Sequence, residues 1–165
     1  MEHTLERTQL LPIPLEEAWD FFSTPRNLER ITPRSMGLRI VEPFDDSPAH
    51  TGQLIEYRVK PLFGIPLKWL TRLEEVQAPF KFVDTQLKGP YRLWRHEHTF
   101  TAVPGGVEMR DRVQYELPLG PLGELAHTLW VKAELARIFD HRKAVLSSLF
   151  KPHVNRDHRS GVQQS

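Results

Sequence analysis

Two runs of strict alternation constrain this chain most. They are Trp94-Arg95-His96-Glu97-His98-Thr99-Phe100 and Val107-Glu108-Met109-Arg110-Asp111-Arg112-Val113-Gln114-Tyr115. Successive side chains of a strand point to opposite faces, so both runs read as half-buried strands. In the first, Trp94, His96, His98 and Phe100 share a face; in the second, Val107, Met109, Asp111, Val113 and Tyr115 do. The other faces carry Arg95, Glu97, Glu108, Arg110 and Arg112 and must meet water. The inward face therefore holds two histidines, an aspartate and a tyrosine among apolar groups. Buried polar groups are costly unless paired or wetted. The pattern points to a lined cavity rather than a dry core.

The pattern also predicts register. With a loop at Val103 to Gly106, Ala102 pairs with Val107, His98 faces Asp111, His96 faces Val113 and Trp94 faces Tyr115. A slip of one residue would turn one strand inside out. A hairpin around Lys88 to Arg92 places Gln86 opposite Trp94, Asp84 opposite His96 and Phe82 opposite His98. Opposed residues have Cβ atoms about 5 Å apart. Two separate pairs are expected, His98 with Asp111 and His96 with Asp84.

The rest of the chain supplies partners for these strands. His3 to Leu11 reads as a strand. Pro14 opens a short helix with Leu15, Ala18, Trp19 and Phe22 on one face, and Thr24-Pro25 caps a second that ends near Pro33. Further strands are expected over Leu38–Glu42, Gln53–Lys60, Leu67–Val76, Phe80–Leu87, Arg92–Ala102 and Val107–Leu117, divided by Pro, Gly and Asp turns. From Pro121 to about Phe150 runs the longest helical segment, roughly 45 Å if straight. Its apolar positions include Leu122, Leu125, Ala126, Leu129, Ala133, Ala136, Ile138, Val145 and Leu149. Consecutive strands favour antiparallel pairing, and only this helix is long enough to cover the sheet. The expected class is α+β: a curved seven-stranded antiparallel sheet, two short helices after the first strand, and a long C-terminal helix across the concave face. Residues 1–150 are expected to form one ligand-binding domain and 151–165 a polar tail.

Composition narrows the function classes. Lys+Arg is 22 and Asp+Glu 21, so net charge gives no pull toward nucleic acid. No run approaches the roughly 18 apolar residues of a membrane helix. There is no cysteine, which removes disulfides, thiolate metal sites and a cysteine nucleophile. The N-terminal residues lack an apolar signal core, so a cytoplasmic protein is expected. No phosphate loop, nucleotide fingerprint, nucleophile elbow or His-Glu-x-x-His pattern occurs.

The element order resembles the helix-grip fold of the START-like (SRPBCC) superfamily. The resemblance is carried by Pro14-Leu15-Glu16-Glu17-Ala18-Trp19-Asp20-Phe21-Phe22, Asn27-Leu28, Ile31-Thr32-Pro33, Gly89-Pro90-Tyr91, His96-Glu97-His98, Asp111-Arg112-Val113-Gln114-Tyr115 and Leu119-Gly120-Pro121-Leu122-Gly123. Within that superfamily the chain resembles a bacterial ligand-binding branch, related to the polyketide cyclase/dehydrase group and to a carbon monoxide dehydrogenase-associated group. The resemblance implies a cavity between sheet and helix, and supplies no catalytic signature that transfers residue by residue.

The expected cavity residues are Tyr57, Trp69, Phe82, Gln86, Trp94, His96, His98, Asp111, Tyr115, Leu129 and Ala133. Individually, the aromatic residues are as well explained by ordinary core packing, and the histidines by a satisfied polar network. Together they support binding or carriage of a small apolar or amphipathic molecule of lipid, isoprenoid or polyketide character. The alternative is a cyclase- or dehydratase-type enzyme in which His98 and Asp111 act as acid and base. A second alternative is a protein-interaction module using the sheet or the apolar loop 61–67, and a protein partner or homodimer is compatible with either face. No cofactor is expected. No tightly held metal is expected either, because each carboxylate is placed opposite a different histidine; His3, His50, His153 and His158 read as exposed or terminal.

Overall fold

The computed structural model describes residues 1–60 and 64–151 of the chain. Strand β1 (Glu2–Leu11) alternates along its whole length, with His3, Leu5, Arg7, Gln9 and Leu11 on its less exposed face. Helix α1 (Leu15–Phe22) follows Pro14 and carries Glu16 and Glu17 in its first turn, where the helix dipole favours acids. Helix α2 (Arg26–Ile31) starts after Pro25 without a side-chain cap. Thr24 does not serve α2 as expected. Its hydroxyl donates to the Asp20 carbonyl at 2.8 Å and so closes α1.

The strands then run in order: β2 (Arg39–Ile40), β3 (Leu54–Val59), β4 (Leu67–Gln77), β5 (Lys81–Lys88), β6 (Leu93–Val103) and β7 (Gly106–Glu116). They form one antiparallel sheet of seven strands in the order β1-β7-β6-β5-β4-β3-β2. Strand β2 is shorter than its sequence suggests; Pro43, which has no N–H for a ladder, follows closely. Register shifts between β4 and β5, at Leu70/Thr71 and Leu73/Glu75, mark bulges of the kind that bend a sheet.

The register expected from the sequence holds. His98 stands opposite Asp111, His96 opposite Val113 and Trp94 opposite Tyr115, while Asp84 faces His96 and Phe82 faces His98. The β6–β7 turn is tighter than expected, since Val103 already pairs with Gly106. Gly106 is required there. Its φ is +146°, and a Cβ would come within 2.0 Å of the Leu11 carbonyl oxygen on the neighbouring strand.

The long helix is built from α3 (Pro121–Ala126), a wider π-helical turn (His127–Val131) and α4 (Lys132–Leu149). Its inward face is not the one expected. The buried positions are Gly123, His127, Val131, Leu135, Phe139, Arg142 and Leu146, at a spacing of four, four, four, four, three and four. Leu122, Leu125, Leu129 and Leu149 are exposed, as are Trp130 and Ala133. Counting apolar residues selects the wrong stripe because the true one contains a histidine, an arginine and a glycine. Gly123 is needed for close approach, since a Cβ would meet the Pro118 carbonyl oxygen at 2.1 Å.

Among the described residues, side chains gather in three apolar clusters. One joins β1, α1, α2 and the β6–β7 hairpin around Leu11, Phe100 and Leu146. A second joins Trp94, Val113 and Tyr115 to Val131, Leu135 and Phe139 of the helix. The third surrounds Ile55, Tyr57 and Val59 at the far edge of the sheet. Pro61, Leu62 and Phe63 of the expected apolar loop, and the expected tail over 152–165, lie outside the described residues. No helix among the described residues is long and apolar enough to cross a membrane.

Leu146 is 1 % exposed and Leu129 53 % exposed. Leu146→Ala should therefore cost about 2–5 kcal/mol, and Leu129→Ala should stay within about 0.5 kcal/mol of wild type. Urea unfolding of both variants tests which face of the helix is packed.

Candidate functional site

The curved sheet and the long helix enclose a cavity of about 370 Å³. Ile55, Tyr57, Trp69, Leu73, Phe82 and Trp94 reach it from the strands, and Leu135, Ile138 and Phe139 from the helix. Of the expected cavity residues, Tyr57, Trp69, Phe82, Trp94, His96 and His98 are in its wall.

Five expected residues lie elsewhere. Leu129 and Ala133 are on the exposed side of the helix. Gln86 clamps the β5–β6 loop instead: its amide N–H donates to the Tyr91 carbonyl at 2.7 Å, and its carbonyl accepts from the Tyr91 N–H at 3.3 Å. Gly89 is the residue that permits this clamp, because a Cβ there would sit 2.2 Å from the Gln86 Oε1. Tyr115 is buried, but its hydroxyl pairs with His127 Nε2 at 2.9 Å. Asp111 stands behind the histidines rather than on the cavity surface.

Asp111 is nevertheless the centre of the polar floor. His96 Nε2 is 2.9 Å from its Oδ1, and His98 Nδ1 is also 2.9 Å from that oxygen, though out of line for a directed hydrogen bond. His98 Nε2 bonds Asp84 Oδ2 at 3.0 Å, and His96 Nδ1 lies 3.7 Å from the same oxygen. Arg142 Nη2 approaches Asp111 Oδ1 at 3.7 Å from the helix side. The expected pair of separate contacts is thus one cluster, with the hydrogen bonds crossed. The opposed residues are as predicted, but each imidazole reaches its diagonal neighbour, a separation of about 7–8 Å between Cα positions that long side chains span.

Sequence reasoning missed Arg142. A signal existed: Leu135, Phe139, Arg142 and Leu146 fall on one helix face. An arginine on an apolar stripe implies a buried acid opposite it. It missed Tyr91 and Phe139 as wall residues as well.

The cluster is charge-balanced when one of its two histidines carries a second ring proton. Two carboxylates face one guanidinium, so one imidazolium completes neutrality. The rings of His96 and His98 lie 3.7 Å apart, which disfavours a second. Burial and the adjacent His98 push the His96 pKa down, against its bond to Asp111. Burial alone would lower His98 too, but its contacts with Asp111 and Asp84 outweigh it and raise its pKa. For Asp111, burial is overcome by Arg142 and both histidines, which hold it well below the usual carboxylate range. Asp84 is likewise lowered, burial being outweighed by His98 and His96. Burial raises the phenols of Tyr57 and Tyr91, so both remain neutral donors.

Among the described residues, two sets of side chains bring three metal-capable donor atoms within 4.8 Å of one another: Asp84, His96 and His98 in the cavity floor, and His3, Glu124 and His127 at the sheet rim. In the floor, the Arg142 guanidinium already lies beside the carboxylate of Asp111, which a metal ion would have to share.

The pH dependence follows from these shifts. Stability contributed by His98 is complete below its unfolded pKa near 6.5 and is lost as the pH rises through its raised folded value. His96 acts oppositely, its lowered pKa costing stability as the pH falls below 6.5. The carboxylate contributions are present above 3.8 and are lost as the pH falls through the lowered folded values. Proton NMR titration should find one of these two rings, His98, titrating above 6.5 and His96 below it. Asp111→Asn should lower the His98 pKa and destabilise the fold by about 3–5 kcal/mol, because it leaves buried cations unpaired.

No protein-family model matches the chain, and no curated protein matches it. Solved structures do. The di-domain ARO/CYC StfQ from the steffimycin biosynthetic pathway superposes with a TM-score of 0.67 at 11% identity, over 91% of this chain and 51% of that one. This chain therefore spans about half of StfQ. Protein CV1439 from Chromobacterium violaceum gives a TM-score of 0.66 at 13% identity, over 90% and 98% of the two chains. Ara h 8.0201 gives 0.57 at 19% identity, over 90% and 99%. At these identities the likeness is one of fold.

Proposed function

This chain has the helix-grip fold of the START-like superfamily, and on that premise we propose that its cavity binds and carries a small amphipathic molecule with an uncharged polar end. The observation that carries this reading is the combination of an apolar wall with a floor in which two carboxylates already engage two imidazoles and a guanidinium. Each methylene moved from water into such a wall contributes about 0.8 kcal/mol. A cavity of about 370 Å³ is within the range of small-molecule sites, which run from about 300 to 1,000 Å³.

The floor supplies orientation. Asp84 and Asp111 are balanced by Arg142 and protonated His98, so a ligand carboxylate would add an uncompensated buried charge. A hydroxyl or carbonyl would not. Arg142 Nε is buried with no hydrogen-bond partner among the described residues, and it offers a donor for such an oxygen. The ligand-binding domain of this proposal is residues 1–150, and we assign it to the cytoplasm.

A second reading places proton transfer in the same cavity. The buried proton on His98 favours it, and so does the fold shared with a protein named as an ARO/CYC. There His98 donates its Nδ1–H, which has no directed hydrogen bond among the described residues, to a ligand carbonyl, while Asp84 holds Nε2 and both carboxylates stabilise the ring's charge. The carrier reading is preferred because both imidazoles already contact carboxylates, which keeps the proton in place.

Trp69 and Trp94 report on occupancy through their fluorescence. Decanol should bind at one site per chain and decanoate about tenfold more weakly, a difference of about 1.4 kcal/mol. Leu135→Trp, which fills the cavity, should abolish binding while the protein stays folded by circular dichroism. Equal affinity for alcohol and carboxylate, or binding that survives Leu135→Trp, would sink the proposal. Turnover of aromatic polyketide-like substrates that falls about 10²–10⁴-fold in His98→Gln, with binding retained, would favour the enzyme reading.

A further inference from the structure

A second constellation lies at the sheet rim, where β1, β7 and the start of the long helix converge. His3 Nε2 is 3.1 Å from Glu124 Oε2. The rings of His3 and His127 stack, with centroids 3.5 Å apart and planes within 12°. None of the three residues belongs to the cavity wall. We propose that His3, Glu124 and His127 form a binding site for a divalent transition ion of zinc's class, separate from the cavity and independent of its ligand.

The donor set suits that ion. Two imidazole nitrogens and a carboxylate oxygen, with a fourth position left to water, are a common zinc arrangement. One donor atom from each residue lies within 4.8 Å of the others, so small side-chain movements close the site. Imidazole coordinates in the plane of its ring, so the parallel stack must tilt open to let both nitrogens converge. His3 and Glu124 keep 18% and 33% of their side-chain surface exposed, which leaves a path for entry.

The surroundings prepare His127 as a ligand. Tyr115 binds its Nε2, which fixes the ring and leaves Nδ1 as the donor on offer. Such outer contacts orient metal-binding histidines. Burial, and then the neighbouring His3, lowers its pKa, so the ring is neutral near pH 7, as a ligand must be. His127 also opens the π-helical turn, a local irregularity that often marks functional sites. The Met1 amino group occupies Glu124 Oε1 at 3.0 Å, and also lies 3.3 Å from Glu116, so Glu124 Oε2, now held by His3 Nε2, is the oxygen that would exchange that contact for the metal.

By its place near the chain start alone, His3 reads as terminal and exposed. Its strand parity is the better guide: it shares the inward face of β1 with Leu5 and Leu11.

The test uses the untagged full chain titrated with zinc chloride after chelator washing. Calorimetry should find one ion per chain, and NMR should shift the ring signals of His3 and His127 while those of His96 and His98 stay in place. Glu124→Gln, a surface substitution of similar shape, should weaken binding at least about tenfold, and Tyr115→Phe about 10–100-fold. Thermal melts without zinc establish that both variants are folded. Absence of saturable binding, binding unchanged in Glu124→Gln and His3→Ala, or binding lost in His96→Ala but kept in His3→Ala would each overturn the proposal.

Discussion

The structure depends on one buried carboxylate. Asp111 sits on the central hairpin with His96 and His98 on one side and Arg142 of the long helix on the other. A carboxylate in that position is tolerated only because opposite charge and hydrogen-bond donors surround it. The same contacts tie the sheet to the helix that covers it. They also determine the character of the cavity floor, which is polar but neutral. Removing any member leaves the others buried and unbalanced, so the cluster acts as a unit.

The cavity is a consequence of how the covering helix packs. Its inward stripe meets the sheet through Val131, Leu135, Phe139 and Leu146, but places Arg142 within the stripe. The register shifts between β4 and β5 are of the kind that bend a sheet, and the sheet and helix enclose the space that Trp69, Phe82 and Trp94 line. Asp84, His96 and His98 line that space, while Asp111 stands behind them and engages both imidazoles and Arg142.

The sheet rim repeats this logic in a more open setting. His3, Tyr115, Glu124 and His127 are again imidazoles held by oxygen donors and acceptors. Here part of the surface remains accessible, and the cation on Glu124, the Met1 amino group, is exposed and leaves Oε2 to His3, whereas the floor holds a buried guanidinium. That difference in burial is why a metal ion is assigned to the rim and not to the floor.

Much of the fold was legible in the chain itself. Alternation in β6 and β7 determined which residues face inward, and parity with turn length determined that His98 stands opposite Asp111 and Asp84 opposite His96. These are local properties, since a strand's period is two and a hairpin joins neighbours in sequence. Three things waited for the tertiary structure. The hydrogen bonds run diagonally, because side-chain reach, not Cα register, decides partners. The helix buries Arg142 and His127 instead of Leu125 and Leu129, because Asp111 and Tyr115 of β7 face them, and the helix's own periodicity does not encode those partners. And His3 meets His127 only because β1 pairs with β7, a contact across more than a hundred residues that no local period encodes.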